Sequence, residues 1–319
     1  MSAQIPVLVL FGPTASGKTA IIQKLFNFSN CIQAEIVSSD SMQVYRGMDI
    51  GTAKPSAEER ERLHHHLIDI RDPSQQFNVG DFVRLADEAC FQIADRGRLP
   101  VVSGGTGFYL KNFILGLSEA PPSDTETRDQ LKKELREKGT AALMEELAAC
   151  DPVSADRIHI NDEYRMLRAL EVYRSSGCPL SSFEINAGHK REKFRFLLIG
   201  LSRPREEIYR RINKRCENMF SQGLAGEVRS LFNAGYTPKD PGLRAIGYRE
   251  FFVESSESIN GWQLSEDING VQTLIAQNSR RYAKRQITFF AGIPDVKWID
   301  AGNDDETAAL IEQELKKRI

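Results

Sequence analysis

The segment Gly12-Pro-Thr-Ala-Ser-Gly-Lys-Thr19 constrains the fold of this 319-residue chain more than any other. It matches the pattern G-x-x-x-x-G-K-[ST] in full, and it lies between an apolar run at residues 7–11 and a helical stretch at residues 20–26. In that context the glycines let backbone N–H groups converge on phosphate oxygens, the lysine adds positive charge, and the hydroxyl ligates Mg²⁺. The motif therefore predicts a strand, a phosphate-binding loop and a helix in succession.

The elements around this loop are typical of parallel α/β proteins, in which strands alternate with helices. Short apolar strands are expected at residues 7–11, 35–38 and 99–103. Residues 78–96 carry apolar side chains three or four positions apart, which predicts a helix with one buried face. The first part of the chain therefore predicts a core built on a parallel sheet.

The pattern changes near Pro121, where strand signals disappear and helical periodicity takes over. One helix here is well bounded, because Asn161 can cap its start while Gly177 and Pro179 follow its last turn. A strand pattern returns at residues 194–201. The predicted fold class is therefore α/β, a P-loop parallel-sheet core with an inserted helical domain. Its expected parts are the first core segment 1–120, the helical insertion 121–190, and the second core segment 191–319 with C-terminal helices.

Composition excludes several classes of protein. The chain has 42 Lys plus Arg against 44 Asp plus Glu, so its net charge of −2 argues against a uniformly basic nucleic-acid coat but allows a local basic surface. Five scattered cysteines without a C-x-x-C pair favour reduced thiols and provide no zinc framework. The first apolar run is too short to span a bilayer and follows no basic leader. We therefore expect a cytoplasmic protein without membrane attachment.

One acidic residue stands out near the predicted phosphate site. A nucleotide hydrolase usually has an apolar strand that ends in Asp to hold magnesium, but here the strand at 99–103 leads into Ser103-Gly-Gly-Thr-Gly107. Asp40 is instead the carboxylate at the carboxyl ends of the core strands, where open α/β sheets bind ligands. The residues alone leave two interpretations open: a general base, or an Asp that caps a turn or holds magnesium through water.

At this point the chain resembles a known family, the tRNA dimethylallyltransferases, also called isopentenyl-pyrophosphate tRNA transferases. The resemblance begins with Gly12-Pro-Thr-Ala-Ser-Gly-Lys-Thr19, Asp40-Ser-Met-Gln-Val-Tyr45, Gly47-Met-Asp-Ile-Gly-Thr-Ala-Lys-Pro55, His65-His-Leu-Ile-Asp-Ile-Arg-Asp-Pro73 and Gly104-Gly-Thr106. It continues through Asn161-Asp-Glu-Tyr-Arg-Met-Leu-Arg-Ala-Leu-Glu171, Arg244-Ala-Ile-Gly-Tyr-Arg249 and Arg281-Tyr-Ala-Lys-Arg-Gln-Ile-Thr288. One departure is Gly226, which replaces the first of two acids that the family usually carries in G-L-x-E-E-V.

The resemblance implies transfer of a dimethylallyl group from dimethylallyl diphosphate to N6 of the adenosine directly 3′ of the tRNA anticodon. The loop would then hold the diphosphate of a prenyl donor, with Mg²⁺ as cofactor. This reaction is not phosphoryl transfer, which is consistent with the absence of an acid after the strand at 99–103. The implied partners are the tRNA anticodon stem-loop and dimethylallyl diphosphate, and we expect a monomer.

The resemblance also implies roles for particular residues around the donor. Asp40 would be the general base for the adenine amine, and a base in hydrogen-bond reach typically contributes about 10²–10⁴-fold. Lys18 and Thr19 would share the catalytic work, with Thr19 as the metal ligand. Arg205 would reach the diphosphate, although it can also be read as an ordinary first-turn helix residue. The expected diphosphate-binding set is Gly12, Pro13, Thr14, Ala15, Ser16, Gly17, Lys18, Thr19 and Arg205.

For tRNA, the resemblance implies contacts from three parts of the chain. Near the target adenosine they are Asp40, Ser41, Met42, Gln43 and Thr106. On the insertion they are Arg128, Tyr164, Arg165, Met166, Leu167 and Arg168. On the second core segment they are Arg244, Ala245, Ile246, Gly247, Tyr248 and Arg249. The adenosine would have to leave its stack to reach the donor, which costs least in an unpaired loop.

The distribution of charge is compatible with this partner, since residues 203–249 carry ten Lys or Arg against five acids. Residues 280–288 carry four basic residues and no acid, although such runs are often merely solvated faces. Three other functions stay open: prenyl transfer to a free adenine nucleotide, a small-molecule P-loop kinase, and a noncatalytic RNA-binding module. The run His64-His65-His66 could suggest a metal, but adjacent residues rarely point at one ion.

Overall fold

The computed structural model describes residues 4–26, 32–183, 191–258 and 260–317. The chain separates into two compact units, of which the first comprises Met1–Ile114 and Glu192–Ile319 and the second Leu115–Arg191. The insertion expected at 121–190 falls within the second unit.

The first unit is built on a six-stranded sheet. Its strands are β1 (Ile5–Phe11), β2 (Ala34–Ser38), β3 (His65–His66), β4 (Leu99–Gly104), β5 (Phe194–Ser202) and β8 (Lys297–Asp300), in the order β3-β2-β4-β1-β5-β8. Neighbouring strands pair in parallel throughout this sheet. The strands β6 (Phe252–Glu254) and β7 (Trp262–Leu264) form a separate antiparallel hairpin. The predicted α/β class, with a P-loop parallel-sheet core, is confirmed.

Helices connect these strands and complete both units. In chain order they are α1 (Lys18–Leu25), α2 (Ala57–Arg62), α3 (Val79–Asp95), α4 (Gly107–Leu115), α5 (Thr125–Cys150), α6 (Pro152–Arg157), α7 (Glu163–Ser176), α8 (Arg205–Ser221), α9 (Leu224–Asn233), α10 (Ile268–Phe290) and α11 (Asp304–Lys316). The predicted helix at 78–96 is α3, which begins after Asn78 because this side chain and Asp81 form a reciprocal capping box.

The sheet is buried on both faces, as parallel sheets require. From Val7 to Phe11 every residue of β1 is buried, since this strand lies in the middle of the sheet. On one face α1 and α11 pack together against the strands, and Ile21 and Ile311 are completely buried there. Helix α3 contacts β1, β2 and β4. This packing fixes the carboxyl ends of β1, β2 and β4 side by side, and the loops that follow them carry the predicted site residues.

The second unit is helical, and α5 pairs with α7 within it. Helix α5 is interrupted at Gly139, whose φ of 80° lies in the left-handed region that favours glycine. The cap of α7 is Asp162 rather than Asn161, because the Asp162 side chain accepts from the Arg165 N–H at 3.2 Å. The helix ends at Gly177, with a φ of 73°, as predicted.

A buried carboxylate supports the edge of the sheet at β2. Glu35 is 2% exposed and accepts hydrogen bonds from Arg96 at 2.7 Å and 3.1 Å, from Arg98 at 2.8 Å, and from a ring nitrogen of His66 at 2.7 Å. Burial alone would raise the pKa of Glu35, but hydrogen bonds from Arg96, His66 and Arg98 outweigh it and lower the pKa to about 2. The ionised form is therefore strongly favoured in the folded protein.

Replacing Glu35 with Gln should reduce the free energy of unfolding by about 2–3 kcal/mol at pH 7, because charged hydrogen bonds are lost at a buried site. The ordinary pKa of 4.5 falls to about 2 on folding, so this contribution is present in full above pH 4.5 and disappears as the pH falls towards 2. Urea unfolding of both proteins at pH 7 and pH 3 measures the difference, which should shrink at pH 3. The control Glu88→Gln removes an exposed pair with Arg84 and should change stability by less than about 0.5 kcal/mol. A difference that is independent of pH would contradict this account.

Candidate active site at the carboxyl edge of the sheet

A cavity of about 1080 Å³ lies in the first unit, at the carboxyl ends of β1, β2 and β4. It brings together the phosphate loop, the turn that contains Asp40, the loop after β4, and the inner faces of α8 and α10. The predicted site residues that line it are Thr14, Ala15, Gly17, Lys18, Thr19, Asp40, Ser41, Met42, Gln43, Thr106, Ala245, Ile246 and Gly247. Segments far apart in sequence thus share one space.

The phosphate loop is tightly folded over buried atoms. Gly12, Pro13 and Ser16 are the buried residues of the loop. A Cβ on Gly12 would lie 2.8 Å from the Ser16 Oγ and 2.9 Å from the Leu201 carbonyl oxygen. Ala15 and Gly17 have φ values of 64° and 102°, which reverse the chain before α1 begins. Glycine is needed at position 12 for space and at position 17 for its backbone conformation.

Side chains from elsewhere in the unit hold the polar groups of this loop. Arg203 donates from Nε to the Ser16 carbonyl at 2.8 Å, and Arg211 donates from Nε to the Ala15 carbonyl at 2.9 Å. Arg215 donates to the Thr14 hydroxyl at 3.3 Å. These contacts concentrate three guanidinium groups around one turn of backbone, which favours an anionic ligand.

Arg205, which the resemblance assigned to the diphosphate, lies elsewhere. It is exposed in the first turn of α8 and does not line the cavity, whereas Arg211 and Arg215 do. Arg203, just before the helix, and Arg211 and Arg215, later in it, contact the phosphate loop, whereas Arg205 is exposed. The sequence offered a signal that Arg215 faces the protein interior, because it directly precedes Cys216, a residue of the buried stripe of α8.

The positive charges around the loop affect one another. Burial and, next in size, the nearby Arg215 lower the pKa of Lys18 to about 8, and the nearby Asp40 carboxylate opposes that decrease. The ammonium of Lys18 donates to the carbonyls of Gly12 at 2.8 Å and Pro13 at 3.0 Å. A bound anion would neutralise the positive charge that Asp40 leaves uncompensated on Lys18 and Arg215.

Asp40 is held in a turn directly beside this cluster. Its Oδ1 accepts from the backbone N–H of Met42 at 2.9 Å and of Gln43 at 3.4 Å. Burial lowers the pKa of Arg215, and the Asp40 carboxylate opposes that change. Asp40 therefore stabilises the charges of Lys18 and Arg215, the same cations that an anionic ligand would contact. Asp40 therefore caps a turn, and it also faces the cavity as a base would need to.

The other residues expected at the target base are partly engaged with the protein. Thr106 accepts from the Ser41 N–H at 3.0 Å, which ties the loop after β4 to the Asp40 turn. The Gln43 amide accepts from the Ser38 hydroxyl at 2.9 Å and donates to the carbonyl of Ala53 at 3.3 Å. Gln43 would exchange its amide contacts to read the edge of a base.

Tyr248, which was predicted to contact tRNA, is completely buried. Its hydroxyl donates to Glu227 at 2.6 Å, and Glu227 also accepts from the N–H groups of Asp49 at 2.9 Å and Ile50 at 2.8 Å. The prediction for Tyr248 is corrected: it supports the loop around Gly51, where a Cβ would lie 2.4 Å from its ring. Glu227 is the acid that the chain retains beside Gly226.

The flanking arginines of that segment remain at the surface. Arg244 and Arg249 are exposed, and neither lines the cavity. Arg244 donates to the Lys239 carbonyl at 2.6 Å, and Arg249 pairs with Glu250 at 3.3 Å. They are placed for contact with a large ligand rather than with a small one inside the cavity.

In the second unit the predicted tRNA contacts separate into two groups. Tyr164 and Arg165 are exposed, and Arg128 lies over the Tyr164 ring at 4.8 Å. Met166 and Leu167 are buried in the core between α5 and α7, so the prediction that they contact tRNA is corrected.

Arg168 also turns inward in the second unit. It donates to the Pro121 carbonyl and pairs with the buried Glu171 at 3.3 Å. The prediction that Arg168 contacts tRNA is therefore corrected as well, because its guanidinium is engaged by Pro121 and Glu171.

Two places in the described part of the chain offer ligand atoms for a metal: the cluster of Glu35, His64 and His66, and the phosphate loop with Thr19. Glu35, His64 and His66 bring ligand atoms within 4.8 Å of one another, but Arg96 and Arg98 already occupy the Glu35 carboxylate. Thr19 is exposed and lines the cavity, so its hydroxyl is free to approach a ligand there. A hard cation such as Mg²⁺ prefers oxygen ligands, and it usually binds with substrate phosphates. The phosphate loop is thus the better fit for magnesium.

Sequence reasoning missed four residues at this site. Arg203, Arg211 and Arg215 hold the loop, and Tyr282 of α10 lines the cavity. Burial and the nearby Asp40 raise the pKa of Tyr282 to about 12, so its hydroxyl stays protonated. Tyr282 lies in the segment Arg281-Tyr-Ala-Lys-Arg-Gln-Ile-Thr288, a matched motif to which no role was given.

Comparisons with known proteins agree with this geometry. A sequence model of the family described as IPP transferase matches residues 43–292. A protein of Geobacter sulfurreducens called tRNA dimethylallyltransferase is 42% identical over 294 residues, covering 92% of this chain and 91% of that protein. The full-length tRNA isopentenylpyrophosphate transferase of Bacillus halodurans superposes with a TM-score of 0.68 at 35% identity, covering 99% of this chain and 96% of that one. A eukaryotic dimethylallyltransferase, described as acting on tRNA, gives a TM-score of 0.76 at 25% identity, covering 98% of this chain and 80% of that one.

The lowered pKa of Lys18 predicts how anion binding depends on pH. Inorganic pyrophosphate should bind more weakly as the pH rises above about 8, because Lys18 then loses its charge in the free protein. Affinity measured by calorimetry should fall by up to about tenfold from pH 7 to pH 9 relative to Lys18→Gln, since a lysine that is one unit above its pKa is about nine-tenths neutral. The variant also corrects for titration of pyrophosphate itself. A ratio of affinities that does not vary with pH would contradict the assignment.

Proposed function

This chain belongs to the IPP transferase family, and from that membership we infer that it is a tRNA dimethylallyltransferase. We propose that it transfers the dimethylallyl group of dimethylallyl diphosphate to N6 of the adenosine directly 3′ of the anticodon. One observation supports this most: a phosphate loop surrounded by buried cations and an acid suited to act as a base, Asp40, line the same cavity. A group transfer between a diphosphate ester and an amine needs both.

The donor would bind through its diphosphate. Backbone N–H groups of the loop, with Lys18, Arg211 and Arg215, would stabilise the charge that develops as diphosphate leaves. Thr19 would hold Mg²⁺, which supplies further neutralisation of that charge. The five-carbon tail contributes only about 4 kcal/mol, at ~0.8 kcal/mol per buried carbon, so the diphosphate must carry much of the affinity.

The acceptor would be a base flipped out of the anticodon loop. Its amine is a poor nucleophile because the lone pair is delocalised into the ring, so it must lose a proton as it attacks carbon. Asp40 would accept that proton. Ser41 and Thr106 keep the Asp40 turn in place, and the Gln43 amide suits an adenine edge.

The rest of the RNA would be bound at the surface. Tyr164 and Arg165, which are exposed, and the half-buried Arg128 are the contacts proposed on the second unit, and the exposed Arg244 and Arg249 are those on the first. Basic side chains there would pair with backbone phosphates, which position an RNA without reading its sequence.

The proposal also covers the cellular location and the oligomeric state. Among the described helices, none combines the length and apolar character that a bilayer crossing requires. We expect the enzyme to work in the cytoplasm as a monomer.

The function can be tested against its alternatives in one set of assays. The protein is incubated with labelled dimethylallyl diphosphate or labelled ATP, each with an anticodon stem-loop RNA or with AMP. We expect label from dimethylallyl diphosphate on the RNA only. Label on AMP would indicate a free-nucleotide prenyltransferase, phosphate transfer from ATP would indicate a kinase, and binding without transfer would indicate an RNA-binding module.

Replacing Asp40 with Asn should lower the rate of dimethylallyl transfer by about 10²–10⁴-fold, because a general base is lost. Asn keeps an oxygen that can accept from the Met42 N–H, so the turn is preserved. Rapid-quench measurements with enzyme in excess report the transfer step directly, and RNA binding measured by filter retention should change less than about threefold. A transfer rate equal to that of the parent would remove Asp40 from this role.

Arg165 and Arg168 form a matched pair for testing the RNA-facing surface. Arg165→Ala should weaken RNA binding and reduce the slope of log affinity against log salt by about one, because one phosphate contact is lost. Arg168→Ala should instead lower the thermal midpoint, since it removes the nearer of the two arginines that pair with the buried Glu171. An unchanged salt slope for Arg165→Ala, with intact folding, would exclude a phosphate contact there.

A further inference from the structure

A buried glutamine of α10 joins the two loops that carry the reacting groups. Gln286 is 5% exposed. Its Oε1 accepts from the Thr14 N–H of the phosphate loop at 2.8 Å, and its Nε2 donates to the Gly105 carbonyl at 2.7 Å. Both ends of one carboxamide are therefore engaged, one end on each loop.

The loop after β4 is shaped to receive this part of α10. A Cβ on Gly105 would lie 2.7 Å from the Gln286 Nε2, and a Cβ on Gly107 would lie 2.5 Å from the Phe289 ring. A side chain at position 105 would displace the Gln286 amide, and one at position 107 would displace the Phe289 ring. The glycines therefore allow the carboxamide to reach the backbone.

The connection continues from Gln286 to the turn that holds Asp40. Gly105, whose carbonyl accepts from Gln286, directly precedes Thr106 in the same loop. Thr106 in turn accepts from the Ser41 N–H at 3.0 Å and donates its own N–H to the Ser39 carbonyl at 3.1 Å. A continuous series of contacts thus runs from the phosphate loop to both neighbours of Asp40.

We propose that Gln286 is a positioning residue that sets the separation between the bound diphosphate and Asp40. The proposal rests on the proposed function. Gln286 lines the cavity, but both hydrogen bonds of its carboxamide go to backbone groups of the two loops, so we expect it to affect the position of the reacting groups more than the affinity for donor or RNA. It would act on the transfer step, because a shift of about 1 Å between reacting groups can cost about 100-fold in rate.

Gln286→Leu is the direct test. Leucine has a similar size but can neither accept from Thr14 nor donate to Gly105, so the two loops lose their common partner. We expect kcat for dimethylallyl transfer to an anticodon stem-loop RNA to fall about 10- to 100-fold, with KM for donor and RNA each within about threefold of the parent. Thr273→Ala, an exposed position on the same helix, is the control and should match the parent.

Gly105→Ala provides a second and independent variant. Its methyl group would displace the Gln286 amide from the other side, so it should show the same loss of kcat, and the double variant should be no slower than the slower single one. If Gln286→Leu does not fold, the kcat of Gly105→Ala tests the proposal on its own. Parent-like kcat, a change confined to KM, or fully additive losses would each overturn the proposal. Absence of transfer by the parent would instead overturn the proposed function.

Discussion

The structure of this site depends on which donors satisfy the backbone carbonyls of the phosphate loop. A loop that turns its N–H groups towards an anion must turn its carbonyls the other way, into the protein, where each buried oxygen needs a donor. Lys18 satisfies Gly12 and Pro13, Arg211 satisfies Ala15, and Arg203 satisfies Ser16. The donors are long cationic side chains: Lys18 comes from the motif itself, whereas Arg203 and Arg211 come from β5's end and α8, far away in the sequence.

This solution has an electrostatic consequence. Collecting cations around one loop creates mutual repulsion: burial lowers the pKa of Lys18 most, and the nearby Arg215 lowers it further. Asp304 pairs with Arg203 at 2.8 Å and Asp40 faces Lys18 and Arg215, which leaves part of the positive charge uncompensated. A diphosphate leaving group, which carries several negative charges, is well matched to that excess. The near-zero net charge of the whole chain conceals it, because acids elsewhere balance the sum.

The sequence predicts the elements whose signals are local. The buried strand β1, the loop and the end of α7 at Gly177 follow from apolar runs, from a complete motif, and from one glycine with left-handed backbone. The two-residue strand β3 escapes because tertiary pairing decides it, and the break in α5 at Gly139 is missed although the glycine there is a local signal.

Side-chain roles are harder to predict than elements, because they depend on which face of a helix meets a neighbour. Arg205 and Arg215 lie on the same helix and are equally basic, yet only Arg215 is directed at the phosphate loop. Met166 and Leu167 match a family motif, but the motif at that point records the packing of α7 on α5. A match to a motif therefore identifies residues that matter without distinguishing contact with a ligand from support of the fold.

The loop after β4 explains why this site has no magnesium-binding acid where a nucleotide hydrolase would place one. A Cβ on Gly104 would lie 2.1 Å from the Ser39 carbonyl oxygen, so no side chain fits at the end of this strand. The Thr106 N–H donates to that same carbonyl at 3.1 Å. The chain uses the end of β4 to bring the Asp40 turn against its neighbour, and that close packing is incompatible with a carboxylate at the same place. The Asp40 turn therefore lies against the end of β4, where a nucleotide hydrolase would carry its metal-binding acid.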